Sequence, residues 1–209
     1  MIVGSVKPST GTKPVAITFD DGPSQWTAAI LDALRTHSAR ATFFVLGERV
    51  DGAEDVLVQA VHDGHELGNH TFTHPSCSTL DTDELADELE RTQARIESAV
   101  GVRPVIVRPP YGDGAEAVDA VATALGLGAT ILWSAQADDW LEPPADAIAQ
   151  GVLDAVEPGA IVLLHDGFSS RASPHHNTRQ PTVDAVRQLV PELIAAGYEL
   201  VTVSELLRA

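Results

Sequence analysis

The segment VAITFDDGPS, residues 15–24, carries the clearest structural signal in the sequence. Its first five residues form an apolar run of the length of one buried strand, and two adjacent carboxylates, Asp20 and Asp21, follow directly before Gly22 and Pro23. Two neighbouring ionised carboxylates repel each other unless a cation or a shared proton offsets the repulsion. We therefore expect a positively charged partner close to the end of this strand.

Apolar runs of similar length recur along the chain and alternate with amphipathic stretches. The predicted strands span residues 15–19, 41–46, 65–69, 104–108, 129–133, 160–165 and 198–203, and the predicted helices span residues 25–36, 53–63, 82–99, 115–126, 145–156 and 182–196. This alternation predicts βαβ crossovers and a parallel sheet, and about seven units favour an α/β barrel over an open sheet. Residues 1–14 mix Pro, Ser, Gly, Thr and Lys, so we expect an irregular lead-in before a single domain over residues 15–209.

The composition is that of one globular domain with a substantial core, since 44% of the 209 residues are hydrophobic and 21% are charged. The formal charge of -17 argues against nucleic acid and anionic membranes as partners. No apolar run reaches the roughly 18 residues of a membrane span, and no signal peptide is visible. The single cysteine, Cys77, excludes an internal disulfide. We expect a monomer.

Polar clusters follow most of the predicted strands, at the carboxyl end of each. They are Asp20–Asp21, His70 with His74, Arg108–Tyr111, Asp138–Trp140 and His165–Asp166. Chemistry in barrels and in open α/β sheets collects at the carboxyl ends of the strands and in the loops that follow them. The sequence therefore predicts one functional site to which all five clusters contribute.

HTFTH, residues 70–74, offers a candidate for the missing cation. Two histidines four residues apart can present both imidazoles on one face of a helical turn. Taken alone, this spacing fits a structural or surface pair better, but beside Asp20 and Asp21 it favours a metal site. Two imidazoles and one carboxylate suit Zn²⁺ and leave positions open, while the other carboxylate stays free to accept a proton from water.

Two further motifs place charged groups on the same rim. Arg108, in RPPYG, is a permanent cation on a loop that two prolines hold extended, and it can pair with the free aspartate or simply lie on the surface. His165, in LLHD, emerges from an apolar strand as a candidate general acid or a buried structural histidine. As an acid it needs a carboxylate that raises its pKa, supplied by Asp139 or less favourably by Asp138. Trp140 is either a core residue or a wall facing a sugar.

The motifs TFDDGPS, HTFTH, RPPY, DDW and LLHD, in this order, resemble the five motifs of the polysaccharide deacetylases, the NodB homology domain of carbohydrate esterase family 4. The resemblance covers about residues 15–205 and implies a distorted (β/α) barrel with fewer than eight complete units. It also implies the following roles: Asp20 as catalytic base; Asp21, His70 and His74 as metal ligands; Arg108 as the residue that orients Asp20; the backbone N–H of Tyr111 as an oxyanion donor; His165 as the general acid tuned by Asp139; and Trp140 and Leu163 as walls of the acetyl pocket.

One position departs from the family pattern, because Gln136 stands where the fourth motif, D-x-x-D-W, has its first Asp. Asp139 and Trp140 match the motif, so we expect Asp139 to pair with His165 as in the family. We expect a change in whatever contacts the missing carboxylate would make at the rim. The remaining histidines receive no role, although a supporting role for His65 stays open; they are His37, His62, His65, His175 and His176.

The resemblance implies a zinc-dependent hydrolase, with Co²⁺ or Ni²⁺ as alternative metals, that removes acetyl groups from an acetylated polysaccharide or oligosaccharide. The expected substrate contains N-acetylglucosamine, as in chitin, chitooligosaccharide or peptidoglycan, and O-acetylated xylan is the alternative. These polymers imply a secreted or cell-surface protein. A catalytically silent carbohydrate-binding domain and a non-haem iron oxygenase are the alternatives from other classes. We expect the rim loops to select the substrate; they span residues 23–28, 76–82, 111–115, 141–144 and 167–181.

Overall fold

The computed structural model describes residues 1–9, 11–169 and 178–209. Its strands are β1 (Ile2–Val3), β2 (Pro14–Gly22), β3 (Thr42–Val45), β4 (Glu66–Asn69), β5 (Ile106–Val107), β6 (Ala129–Ile131), β7 (Ala135–Gln136), β8 (Ile161–His165) and β9 (Glu199–Leu200). Its α-helices are α1 (Thr27–Arg35), α2 (Glu54–His62), α3 (Thr82–Val100), α4 (Ala115–Ala124), α5 (Ala145–Ala155), α6 (Gln180–Ala195) and α7 (Val203–Leu206).

The strands form one parallel sheet in the order β1-β6-β5-β4-β3-β2-β8-β7, with β9 paired to β2. The sheet curls into a half-barrel flanked by helices, which confirms the predicted distorted (β/α) fold. Because the strands are parallel, their carboxyl ends share one rim. Among the described residues, no helix combines the length and the apolar character that crossing a lipid bilayer requires.

The strand β2 organises the core. All nine of its residues are buried, and successive side chains alternate between the two faces of the sheet. Val15, Ile17 and Phe19 pack among the residues of the main hydrophobic cluster, which includes side chains of α1 and α6. Thr18 and Asp20 share the other face, toward the inside of the half-barrel, and this alternation places a carboxylate inside the rim.

The structure has nine strands in its described part, where the sequence predicted seven. The additional strands, β1 and β7, have two residues each, too few to produce a hydrophobic period. β1 lies within the expected irregular lead-in, residues 1–14, and that expectation is wrong at this point. Ile2 and Val3 pair with Thr130 and Ile131 of β6, so a tertiary contact and not a local pattern forms the strand.

The last predicted strand, residues 198–203, is shorter than expected. It ends at Leu200, and α7 begins at Val203. Thr202 accepts a hydrogen bond from the backbone N–H of Glu205, and the Glu205 carboxylate accepts one from the backbone N–H of Thr202. This reciprocal capping box starts a helix inside an otherwise strand-like apolar run.

Candidate metal and catalytic site

The five polar clusters that the sequence placed on one rim converge around one cavity of about 580 Å³. The cavity lies at the carboxyl ends of β2 and β8 and in the loops that follow the other strands. Its walls include Asp20, Asp21, His70, His74, Tyr111 and His165. The arrangement agrees with the expectation that chemistry collects at this end of a parallel sheet.

Asp21, His70 and His74 form a buried group that could hold a metal ion. Their candidate ligand atoms lie within 4.8 Å of one another. Oδ1 of Asp21 lies 3.1 Å from Nε2 of His74 and 3.5 Å from Nε2 of His70, yet this buried oxygen makes no hydrogen bond. A buried carboxylate oxygen without a hydrogen-bond partner is costly, and a cation at this point would satisfy it. The donor set therefore fits a divalent metal.

The charge state of Asp21 also favours a cation. Burial alone would raise the pKa of Asp21, but the adjacent His70 and His74 imidazoles hold it well below its usual range. Asp21 is therefore a carboxylate at neutral pH. Metal ligands must be deprotonated, and this carboxylate meets that requirement without a proton being displaced.

The HTFTH segment is not the helical turn that its spacing suggested. Thr71 and His74 have positive φ angles of 67° and 59°, and residues 70–74 carry no helix. Instead, tertiary contacts fix the loop. Glu88 of α3 accepts hydrogen bonds from the backbone N–H groups of Phe72 and Thr73 at 2.7 and 2.8 Å.

Each histidine of the triad has a hydrogen-bond partner for its Nδ1 atom. Nδ1 of His70 lies 2.8 Å from the carbonyl oxygen of Arg108, so this nitrogen carries the proton and donates it. Nδ1 of His74 lies 3.2 Å from the hydroxyl of Tyr111. These contacts leave Nε2 of both rings facing Asp21, and for His70 the carbonyl, which can only accept, fixes the tautomer that a metal ligand requires.

Arg108 is fully buried and holds Asp20. Its Nη1 donates to Oδ1 of Asp20 at 2.8 Å and to the hydroxyl of Thr18 at 2.7 Å. Nε and Nη2 donate to the carbonyl oxygens of Ile131 and Leu132. Thus the guanidinium is the cation that the Asp-Asp pair required, and it fixes one oxygen of Asp20 while Oδ2 lies on the side of His70, 3.8 Å from its Nε2.

His165 pairs with Asp139 across the rim. Nδ1 of His165 donates to Oδ1 of Asp139 at 2.8 Å, while Oδ2 accepts from the backbone N–H of His165 and from the hydroxyl of Thr182. Burial opposes the charge on the imidazole, but the Asp139 carboxylate, aided by Asp21 and Asp20, raises the pKa of His165 to about 9. His165 is therefore protonated at neutral pH, as a general acid must be.

The walls of the cavity come from Tyr111, Trp140 and Leu163. Trp140 is 47% exposed, which places it on the rim and not in the core. Leu163 is buried, but its position on β8 brings it to the cavity floor beside His165. All three positions that the sequence proposed for substrate contact therefore border the same space.

Gln136 links two neighbours on the rim. Its Oε1 accepts from the indole N–H of Trp133 at 2.7 Å, and its Nε2 donates to Oδ1 of Asp138 at 3.2 Å. A carboxylate at position 136 could accept from Trp133 but could not donate to Asp138, since an ionised carboxylate has only acceptors. Gln136 therefore links Trp133 to Asp138, whereas a carboxylate at this position would repel Asp138.

Backbone strain is concentrated at the site. Seven non-glycine residues of the described ranges have a positive φ, and five of them lie at this rim: Asp21, Thr71, His74, Tyr111 and Asp138. Each such conformation costs of the order of 1–3 kcal/mol outside glycine and persists only where surrounding structure enforces it. Four of these five residues, all but Thr71, line the cavity, so the strain coincides with positions whose side chains border it.

The sequence interpretation missed some residues that support the site. Thr18 and Thr182 supply hydroxyl contacts to Arg108 and Asp139, but isolated threonines within apolar stretches carry no motif. Arg179 also borders the cavity; its Nε donates to the carbonyl oxygen of Gly167 at 2.7 Å. No pattern around Arg179 could have indicated that its side chain would be buried.

The described histidines without an assigned role lie away from the cavity. His65 is buried at the amino end of β4, where its Nδ1 accepts from the backbone N–H of Ala41, and burial lowers its pKa to about 4. It is a neutral structural residue, so the supporting role left open for it is not seen. His37 and His62 are exposed. His175 and His176 lie outside the described residues, as does part of the predicted rim loop 167–181.

Comparisons with known proteins identify a matching family model and similar chains. A family model described as polysaccharide deacetylase matches residues 7–130. A chitooligosaccharide deacetylase of Bradyrhizobium sp. (strain ANU 289) is 40% identical over 196 residues, which cover 91% of this chain and 89% of that protein. A peptidoglycan-N-acetylglucosamine deacetylase of Bacillus cereus is 40% identical over 199 residues, which cover 94% of this chain and 89% of that protein.

A solved structure adds a contrast. A CE4 family pseudoenzyme from Bacillus anthracis is similar to this chain with a TM-score of 0.87 and 30% identity, covering 99% of this chain and 69% of that chain. Since a chain of this fold can be a pseudoenzyme, the fold does not by itself establish activity. Activity would have to come from the residues at the rim.

Proposed function

The chain belongs to the polysaccharide deacetylase family, and on this premise we propose that it hydrolyses the N-acetyl groups of N-acetylglucosamine units in a chitooligosaccharide or a peptidoglycan strand. The similar proteins from Bradyrhizobium and Bacillus cereus, named as deacetylases of these two substrate types, support this choice. Such polymers are extracellular or belong to the cell wall, so we place the activity outside the cytoplasm.

One observation carries the proposal: the metal-binding triad, a carboxylate held by arginine and a histidine held by a carboxylate all border one cavity. A silent carbohydrate-binding domain would not need Asp20 and His165 beside Asp21, His70 and His74. An iron oxygenase would use the triad alone, because oxygen activation does not require the base and the acid. Hydrolysis uses all of them.

Asp21, His70 and His74 would hold the metal, and Zn²⁺ suits two imidazoles and one carboxylate best. Co²⁺ and Ni²⁺ are alternatives with the same ligands. When bound, Zn²⁺ supplies a Lewis acid that polarises a carbonyl and lowers the pKa of water. The protein side chains must then position the groups that move protons.

In the proposed reaction, Asp20 accepts the proton of the attacking water. Arg108 occupies Oδ1 of Asp20, so Oδ2 is left for this task. The backbone N–H of Tyr111 donates to the oxygen on which negative charge develops, a contribution typically worth about 3–4 kcal/mol. His165 then gives its proton to the departing sugar nitrogen, and Asp139 stabilises the imidazolium until that step.

Removal of O-acetyl groups from xylan is the second candidate, because an ester presents the same carbonyl to the same side chains. An amine is a poorer leaving group than an alkoxide, so cleavage of the amide depends more steeply on His165. The rim offers little aromatic surface for stacking against a sugar; the exposed rings among its described residues are those of Trp140 and Tyr111. Short neutral sugar chains fit such a surface.

The test is acetate release by the zinc-loaded protein from N-acetylglucosamine oligomers, peptidoglycan and acetylated xylan, measured side by side. We expect release from the first two, and loss of release in a His165→Ala variant. An exposed histidine far from the cavity provides the matched control, His62→Ala, which should keep its activity. Release from xylan alone would make the protein an esterase, and no release from any polymer would support the silent domain.

A further inference from the structure

We infer that Tyr111 is a positioning residue for the metal ligand His74 and acts through its side-chain hydroxyl. The inference rests on the metal site of the proposed function. It gives the side chain of Tyr111 a role separate from that of its backbone N–H. The hydroxyl lies 3.2 Å from Nδ1 of His74, while Nε2 of the same ring lies 3.1 Å from Oδ1 of Asp21. Tyr111 thus contacts the one ring nitrogen that cannot face the metal.

The direction of this hydrogen bond follows from the chemistry of the ligand. Nε2 of His74 must present a lone pair to a metal, so Nδ1 carries the ring proton and the Tyr111 oxygen accepts it. An acceptor at this position fixes the tautomer and the orientation of the ring and raises its basicity as a ligand.

The two histidine ligands are held by different kinds of acceptor. Nδ1 of His70 donates to a buried backbone carbonyl, that of Arg108, at 2.8 Å, which no substitution of a side chain can remove. Nδ1 of His74 depends on a side chain. The contact is reinforced by the ring of Tyr111, which meets the His74 ring edge-on with centroids 4.7 Å apart.

The backbone presents Tyr111 independently of its hydroxyl. Tyr111 has a φ of 61°, within a turn closed by hydrogen bonds from Gly112 to Pro109 and from Asp113 to Pro110. The Asp113 carboxylate accepts from the hydroxyl of Ser78 at 2.6 Å, which ties this turn to the segment after HTFTH. Removal of the phenolic oxygen alone should therefore leave the turn, the ring and the backbone N–H in place.

A different interpretation makes Tyr111 only a wall for the substrate, since its side chain is exposed and borders the cavity. The two interpretations differ in a measurement that needs no substrate. A wall residue affects KM for the sugar and leaves metal affinity unchanged. A positioning residue for His74 affects metal affinity first.

The experiment compares Tyr111→Phe with Tyr198→Phe in the metal-free full chain. Tyr198 is the matched control, because it is the other tyrosine and its hydroxyl donates to the carbonyl of Val156, away from the cavity. Zinc affinity is measured by competition with a chromophoric chelator, and the visible absorption bands are recorded with Co²⁺ bound. Circular dichroism confirms that both variants fold.

We expect Tyr111→Phe to weaken zinc binding by about 10-fold or more, the typical effect of losing the outer partner of a histidine ligand, and to shift the cobalt bands. Tyr198→Phe should change neither. Equal affinity and identical bands in Tyr111→Phe and the unsubstituted protein would overturn the inference. If the unsubstituted protein bound neither Zn²⁺ nor Co²⁺, the metal site itself would be overturned. The same titration distinguishes this result from failure of the inference about Tyr111 alone.

Discussion

Nη1 of Arg108 lies 2.8 Å from Oδ1 of Asp20, and both side chains are buried within the half-barrel. The guanidinium also lies over the ring of Phe44, with 4.2 Å between its central carbon and the ring centroid. Arg108 therefore connects the proposed catalytic rim to the core, and changes at this pair should affect both stability and activity.

Substitution Arg108→Met should destabilise the protein strongly, because it leaves the buried Asp20 carboxylate without its cation. Breaking one side of a buried ion pair costs about 3–5 kcal/mol. The measurement is the free energy of unfolding in urea. Arg187→Met is the matched control: its pair with Asp184 is about half exposed on both sides and should contribute little. An equal loss of unfolding free energy in the two variants would contradict the large contribution to stability expected of the pair of Arg108 with Asp20.

Substitution Asp139→Asn should move the alkaline limb of the pH–activity profile to lower pH. In the proposed reaction His165 acts as an acid, so activity is expected below its pKa and should be lost as pH rises through that pKa. Burial lowers this pKa, whereas Asp139 raises it, and the net value is about 9. A cation bound at the metal site would offset the effect of Asp20 and Asp21 on the pKa of His165. Asp139 would still raise this pKa through its direct hydrogen bond.

The measurement is kcat/KM between about pH 6 and about pH 10. This range begins near the ordinary pKa of histidine and extends well above it. Asp138→Asn is the control, since Asp138 is exposed and contacts Gln136 instead of His165. An alkaline limb that moved in Asp138→Asn and not in Asp139→Asn would reverse the assignment of the partner.

Metal removal should lower the thermal stability. The triad leaves a buried oxygen of Asp21 without a hydrogen bond, and a ligand at 100 times its Kd stabilises the native state by about 2.7 kcal/mol. We expect the Tm of the zinc-loaded protein to fall by several degrees on chelation. In Asp21→Asn, which lacks the carboxylate ligand, chelation should change the Tm little. A zinc-loaded protein whose Tm did not respond to chelation would count against the site.

Substitution Gly68→Ala should destabilise the sheet beneath the site. A Cβ at this position would lie 2.5 Å from Cδ1 of Phe44, the ring that underlies Arg108. Overpacking of this kind costs about 1–3 kcal/mol. Gly128→Ala is the control, because the nearest atom to its Cβ, the carbonyl oxygen of Val105, is 3.6 Å away. The measurement is the urea midpoint of both variants.

The sequence was most informative where an apolar run was followed directly by polar residues, because this pattern predicts both a strand and the residues at its carboxyl end. The apolar run before Asp20 predicted β2 and the rim, and the ordered motifs predicted the family. The spacing of four in HTFTH predicted a helical turn, but Glu88 and the positive φ angles of Thr71 and His74 produce a loop instead. Those contacts come from a helix distant in sequence.

Other features depended on tertiary structure that no local pattern encodes. β1 exists because β6 offers an edge, and the contact of Tyr111 with His74 exists because a left-handed backbone turns the ring toward the metal site. Gln136 was recognised as a departure from the family motif, but its two hydrogen bonds, to Trp133 and Asp138, depend on how the rim folds.

The most direct test of the central claim is acetate release from N-acetylglucosamine oligomers by zinc-loaded Asp20→Asn, with the zinc content of the same sample determined. Asp184→Asn is the matched control, because Asp184 is a half-exposed carboxylate on α6. The account predicts that Asp20→Asn keeps its zinc and loses at least about 100-fold in kcat, the contribution typical of a general base. An Asp20→Asn protein that bound zinc and released acetate at the rate of the control would contradict the account.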